Sequence, residues 1–216
     1  MPDNLKSLLL SQGTTREYKN REVIYSPGAP APAGQVMVLL DGLLKIESVR
    51  DRKHVMVKEI VYPGRLFGEG LVFGAGTLDN ELATSLSEAT VVFHMPVDQY
   101  LSLARVHPSL MDVLLHAVGE KLSKKERRLA AFHFDDARKR LVAFIKELAD
   151  HLGVRVGYET LVRHCFTQQD FANITGTSRQ TVTCLLNEMK KANIIYFDRR
   201  RLLIRDMSRL WRFGFQ

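Results

Sequence analysis

Residues 167–189 read TQQDFANITGTSRQTVTCLLNEM, and this stretch decides the fold of the carboxy-terminal part of the chain. Thr167 followed three residues on by Asp170 is a capping-box variant: a hydroxyl for the open amides of a first helical turn, and a carboxylate for the amide of the cap itself. A short helix through Ile174 is expected, ended by Gly176, which enters the left-handed region without steric cost. Ser178 can cap a second helix. There Val182, Leu185, Leu186 and Met189 recur at helical spacing and point inward, leaving Arg179, Gln180, Thr183 and Asn187 on a polar outer face. Counted from Gln168, Ala172 is fifth, Gly176 ninth, Val182 fifteenth and Leu185 eighteenth. A small residue for close approach, a tolerant turn residue and two core contacts at these steps predict a helix-turn-helix. Arg199-Arg200-Arg201 between the apolar segments Ile194 to Phe197 and Leu202 to Ile204 adds a basic wing.

The charge is distributed to match. Met1 to Asp136 holds 16 basic and 17 acidic residues, whereas Ala137 to Gln216 holds 15 and 7, within a net charge of +7 for the 216-residue chain. A basic segment beside a near-neutral one points to a polyanionic partner, and Arg and Gln at the start of an exposed helix suit guanine and adenine edges in the major groove. Wing arginines suit phosphates. Two packed helices without nucleic acid would not account for that placement.

Upstream, Glu22 to Met95 shows short β-rich stretches (Val36 to Leu40, Leu43 to Ser48, His54 to Val61, Ala89 to His94) separated by turn signals at Ser26-Pro27-Gly28, Asp41-Gly42 and Pro63-Gly64. This spacing predicts one antiparallel sandwich or barrel. After His107-Pro108, the apolar residues Leu115, Val118, Leu122, Leu129 and Phe132 fall at steps of three and four, with Lys125 completing the series. Such a heptad seam on a helix of roughly 25 residues predicts a parallel homodimer. A second amphipathic helix, Ala137 to Leu152, carries Leu141, Phe144, Ile145 and Leu148 and stops at Gly153, the usual residue just past a helix end. The expected organisation is an effector-sensing domain over residues 1–106, a dimerisation helix over 107–136 and a winged helix-turn-helix over 137–216.

Several classes fall away. With 45% hydrophobic and 25% charged residues the chain is neither disordered nor collagenous. No apolar run approaches the roughly 20 residues of a membrane span. Met1-Pro2-Asp3-Asn4 lacks a secretory pattern, so a cytoplasmic location is expected. Cys165 and Cys184 lack the spacing of a disulfide framework or a CxxC site.

At Gly176-Thr177-Ser178-Arg179-Gln180-Thr181-Val182 the chain closely resembles the Crp/Fnr superfamily of bacterial transcription regulators. The similarity extends to Asn193-Ile194-Ile195 and, in the β region, to Asp41-Gly42, Tyr62-Pro63-Gly64 and Leu66-Phe67-Gly68-Glu69. The resemblance implies an α+β architecture: a cyclic-nucleotide-binding-like antiparallel β-roll, a long dimerisation helix and a carboxy-terminal winged helix-turn-helix. It implies DNA contacts from Gln169, Thr177, Ser178, Arg179, Gln180, Thr183, Arg199, Arg200 and Arg201 on a palindromic operator, and RNA polymerase as a partner. The implied effector pocket would use Gly68, Glu69, Glu81, Leu82, Lys125 and Glu126.

In members that bind cyclic AMP, an Arg-Ser-Ala stretch neutralises the cyclic phosphate. Here the matching stretch is Glu81-Leu82-Ala83, whose carboxylate repels a phosphate, so an effector other than cyclic AMP is expected. The amino-terminal cysteine cluster of the iron-sulfur members is missing. Haem stays an alternative through His54, His94, His107, His116 or His133, none of which has ligand spacing. Cys184 stands where many relatives place a second contacting Arg. A cupin-like enzyme would need a His-x-His or paired catalytic carboxylates, which the β region lacks. A sensor acting through protein partners would leave the basic helix-turn-helix without a role.

Overall fold

A computed structural model describes residues 3–26, 34–50, 55–68 and 81–215. The chain divides into two compact units, 1–125 and 126–216, with the boundary inside one long helix.

The amino-terminal unit opens with α1 (Asp3–Gln12) and continues through β1 (Thr14–Lys19), β2 (Val23–Tyr25), β3 (Gln35–Asp41), β4 (Leu44–Val49), β5 (Val55–Val61), β6 (Leu66–Phe67), β7 (Glu81–Ser85) and β8 (Ala89–Pro96). These form two antiparallel four-stranded sheets, ordered β1-β8-β3-β6 and β2-β7-β4-β5. Met37, Leu39 and Val92 of the first sheet share a core with Tyr25, Leu44, Ile46, Val61 and Ala83 of the second. Val36, Phe93 and Met95, from the other face of the first sheet, pack instead with Leu9 of α1, Tyr100 and Ala104 of α2 (Val97–Val106), and Leu110 and Leu114 of α3 (Ser109–Phe134). That sheet is covered on both faces. Its strands therefore read as continuous apolar runs at Val36 to Leu40 and Ala89 to Phe93, where a half-exposed strand would alternate.

Pro96 precedes α2, and His107-Pro108 separates α2 from α3. The buried Tyr100 hydroxyl donates to Leu110 O (2.7 Å) across that break, and burial pushes the phenol up to about 12. Beyond Leu114 the α3 side chains Leu115, Leu122 and Leu129 are exposed (56%, 57% and 72%), so the heptad stripe lies uncovered in the single chain. Lys121, on another face, reaches Glu59 of β5 (3.1 Å).

In the second unit, α4 (Ala137–Leu152) is capped by Asp136, which accepts the Lys139 amide (2.8 Å). It buries the expected Leu141, Phe144, Ile145 and Leu148. Gly153 follows directly past the helix end, as expected from sequence, in extended backbone at φ −73°. Glycine is required there by crowding: a Cβ would sit 2.2 Å from Ala149 O and 2.7 Å from Thr160 Cγ2. The chain continues through β9 (Gly153–Val156), β10 (Glu159–Arg163), α5 (Gln168–Thr175), α6 (Arg179–Lys191), β11 (Ile195–Phe197), β12 (Arg201–Ile204) and α7 (Met207–Gly214), with sheet order β11-β12-β10-β9. Among the described residues, no helix is long and apolar enough to cross a membrane.

Candidate nucleic-acid interface

The helix-turn-helix is α5, a turn and α6, each start built by its own side chains. Thr167 Oγ1 accepts the Asp170 amide (3.1 Å), and Asp170 Oδ2 accepts the Thr167 amide (2.8 Å) and hydroxyl (2.7 Å), the reciprocal capping box read from sequence. Gly176 ends α5 at φ +61°, ψ +46°, and the Thr177 amide closes back on Ala172 O (3.0 Å). Ser178 Oγ accepts the Thr181 amide (3.0 Å) and lies 2.8 Å from Thr181 Oγ1. Ser178 and Thr177 thus hold the turn and the start of α6.

Val182, Leu185, Leu186 and Met189 are buried against α5 and the wing strands, leaving Arg179, Gln180 and Asn187 exposed. The Thr183 hydroxyl lies 2.8 Å from both Gln168 Oε1 and Arg179 O, tying α6 to α5. Gln168 is a contributor that spacing alone did not single out. Gln169 Nε2 donates to Asn173 Oδ1 (2.8 Å) on the exposed side of α5. Cys184 is exposed on α6 with its thiol 3.4 Å from Glu188 Oε1, and that hydrogen bond, with the Glu188 charge, raises the thiol above its usual range.

The wing is the antiparallel β11–β12 hairpin. Asp198 organises its tip: Oδ1 accepts the Arg200 and Arg201 amides (both 2.8 Å) and Oδ2 accepts Arg201 Nε (3.1 Å). These bonds, led by that from the Arg200 amide, hold the Asp198 carboxyl below its ordinary range. Arg199 and Arg200 are exposed at the tip, whereas Arg201 already belongs to β12 and is ion-paired with Asp198 (3.1 Å). All three arginines grouped by sequence are exposed, and Arg201 is in addition ion-paired with Asp198.

Behind the two helices lies an aromatic cluster. His164 stacks on Phe197 (5.3 Å, 18°) and meets Phe171 edge-on (5.9 Å, 84°), and Phe144 packs on Phe171 (5.3 Å). The His164 amide donates to Arg200 O (2.9 Å), so this residue joins the wing to α5. Burial lowers the imidazole to about 4 although the Asp198 charge opposes it, leaving the ring neutral at pH 7.

The residues expected to line an effector pocket fall as follows. Gly68 follows β6 at φ +76°. Glu69 lies outside the described residues. Glu81 and Leu82 are half-buried on β7, where the Glu81 carboxylate accepts from Lys58 Nζ and, at 3.4 Å, from Tyr25 Oη. Lys45 and Glu47 of β4 form another pair at 2.9 Å. Lys125 and Glu126 are exposed on α3. Among the histidines considered as haem ligands, His94 is buried with Nε2 3.1 Å from Tyr18 Oη and Nδ1 3.0 Å from Gln35 Oε1, while His54 lies outside the described residues.

A Crp-like helix-turn-helix domain matches residues 139–213. The CRP-like cAMP-activated global transcriptional regulator of Mycobacterium tuberculosis is 26% identical over 196 residues, 91% of this chain and 86% of that protein. The transcriptional regulator SdrP of Thermus thermophilus is 24% identical over 91% of this chain and 92% of its own length. Among solved structures, FixK2 from Bradyrhizobium japonicum superposes with a TM-score of 0.79 at 19% identity, covering 94% of this chain and 97% of that one. Residues 139–213 are thus a Crp-like helix-turn-helix domain, and over nearly its whole length the chain is similar to CRP-like and related transcription regulators and shares the fold of FixK2.

Proposed function

We propose that the chain acts in the bacterial cytoplasm as a homodimer that reads a palindromic operator in double-stranded DNA and works beside RNA polymerase, under the control of a small molecule other than cyclic AMP. The observation that carries the reading is the division of labour around α6. Ser178, Thr181 and Thr183 are spent on caps and helix-helix bonds, while Arg179 and Gln180 on the first turn are exposed. Side chains so placed reach base edges when a recognition helix enters the major groove, and Arg199 and Arg200 on the wing meet phosphates. The exposed Leu115, Leu122 and Leu129 stripe supports a dimer, because a monomer would leave three large apolar side chains in water along one helix.

The Glu81–Lys58 pair supports an effector other than cyclic AMP. A cyclic phosphate at this strand would meet a carboxylate already engaged with a lysine and would have to displace it. Calorimetry is expected to show no micromolar binding of cyclic AMP, and such binding would overturn this part.

Binding-site selection from random duplexes, with sedimentation of the same protein, tests the whole. The expected result is a dimeric mass and an inverted repeat whose half-sites lie about one helical turn apart. A monomer, or a pool without sequence preference, would contradict it.

A further inference from the structure

The last two turns of α3 do something that the heptad pattern does not anticipate. Arg128 Nη2 donates to Ile174 O (2.7 Å), and Arg140 of α4 donates through Nε to Thr175 O (2.8 Å), with Nη2 3.5 Å from Gly176 O and Nη1 bonded to Asp135 O. Ile174 O and Thr175 O are helix-end carbonyls left open when α5 stops, so the two guanidinium groups supply the missing donors. Both also lie over one ring: Arg128 is 5.5 Å and Arg140 5.2 Å from the centroid of Phe132. The Phe132 ring in turn fills the space beside Gly176, where a Cβ would stand 2.3 Å from Phe132 Cε1.

Resting on the DNA reading above, we propose that Arg128, Phe132 and Arg140 are positioning residues for base recognition: they clasp the turn at Gly176 and so set where Arg179 and Gln180 stand. The chemistry is that of a fixed hinge. Gly176 is three residues from Arg179, and the turn orients the whole of α6. Phe132, which its spacing assigns to the dimer seam with Leu115, Val118, Leu122 and Leu129, stays exposed at its outer side (38%) and also packs here beside Gly176 of its own chain.

The test uses the full chain, with Arg128→Met, Arg140→Met and Phe132→Leu. Three quantities are read: amide hydrogen exchange over residues 172–180, the ratio of affinity for the selected duplex to that for a scrambled one, and mass by sedimentation. Loss of a charged hydrogen bond at the turn should speed exchange roughly tenfold and lower the affinity ratio by a similar factor, with mass unchanged. Arg128→Lys, which keeps a donor and the charge, should recover part of both, while Arg140→Lys should not, because one ammonium cannot follow the planar fork across Thr175 O, Gly176 O and Asp135 O. Should Arg140→Met fail to fold, Phe132→Leu carries the test, since it removes neither a charge nor a backbone bond. Wild-type exchange and wild-type ratio in Phe132→Leu and Arg128→Met would overturn the clasp. A wild-type chain without sequence preference, but with faster exchange in the variants, would overturn the DNA reading and the recognition role with it, leaving only the turn contact.

Discussion

The two units use their basic side chains in ways that only partly overlap. Both form ion pairs with carboxylates: Lys45 with Glu47, Lys58 with Glu81, Lys121 with Glu59, Arg65 with Glu120 and Arg16 with Glu22 in the amino-terminal unit, and Arg138 with Glu188, Lys146 with Asp150 and Arg201 with Asp198 in the carboxy-terminal one. In the carboxy-terminal unit three arginines bond backbone carbonyls at helix ends, Arg128 and Arg140 at the end of α5 and Arg209 at Ala192 O (2.6 Å) after α6. A neutral carbonyl acceptor does not itself cancel the positive charge of the guanidinium it binds. The same residues that complete the fold therefore contribute to the field that draws a polyanion.

The largest expected effect strikes the turn that the arginines hold. Gly176→Ala places a Cβ both at positive φ and into the Phe132 ring, and strain plus overpacking should cost about 3 kcal/mol, read as a lower urea midpoint for the carboxy-terminal unit with the β unit unaffected. A midpoint within error of wild type would mean that the clasp yields, and the contrast between the units would lose its structural half.

Acid should separate the units next. His164 is held neutral in the folded unit, at about 4 against 6.5 when unfolded, because burial disfavours the charged ring. The unfolded chain then binds more protons between those values. Stability is full above pH 6.5 and falls as pH drops toward 4, by roughly 3 kcal/mol across that window. His94 in the β unit is shifted the same way, by burial and then by Arg16, so each unit needs its own reporter. Thermal melts of His164→Phe from pH 7 to 4.5 should show a flatter curve for the carboxy-terminal unit. A wild-type slope would remove His164 from the account.

A smaller effect is expected at the wing tip. Arg200→Ala should leave stability within about 0.5 kcal/mol of wild type, as an exposed side chain does, while lowering the slope of log affinity against log salt by about 1 on every duplex. A change confined to one sequence would move Arg200 from phosphate contact to base reading.

The helix-turn-helix was legible because its constraints are local. Thr167 with Asp170, Ser178 with Thr181, and the positive φ of Gly176 each involve residues within a few positions, and all appear in the structure as their spacing required. Val36 to Leu40 and Ala89 to His94 were legible as strands because a sheet covered on both faces writes itself in apolar runs. β1 was not, since only Tyr18 of its six residues is buried, and the two residues of β6 are too short to show a period. The arginine clasp could not be read at all. Its bonds join Arg128 to a carbonyl 46 residues away and Arg140 to one 35 residues away, and a carbonyl acceptor leaves no side-chain signature. Phe132 carries a contact that its seam spacing does not announce, with its ring beside Gly176 while the residue stays exposed.

If base reading sits on the first turn of α6 while the surrounding positive charge supplies affinity without sequence, Arg179→Ala separates the two in binding-site selection and affinity measurement. The expected result is a weaker complex, by roughly 1–3 kcal/mol on the wild-type operator, and a selected motif that loses information at one position in each half-site while the salt dependence barely changes. Recovery of the wild-type motif with unchanged affinity would contradict it.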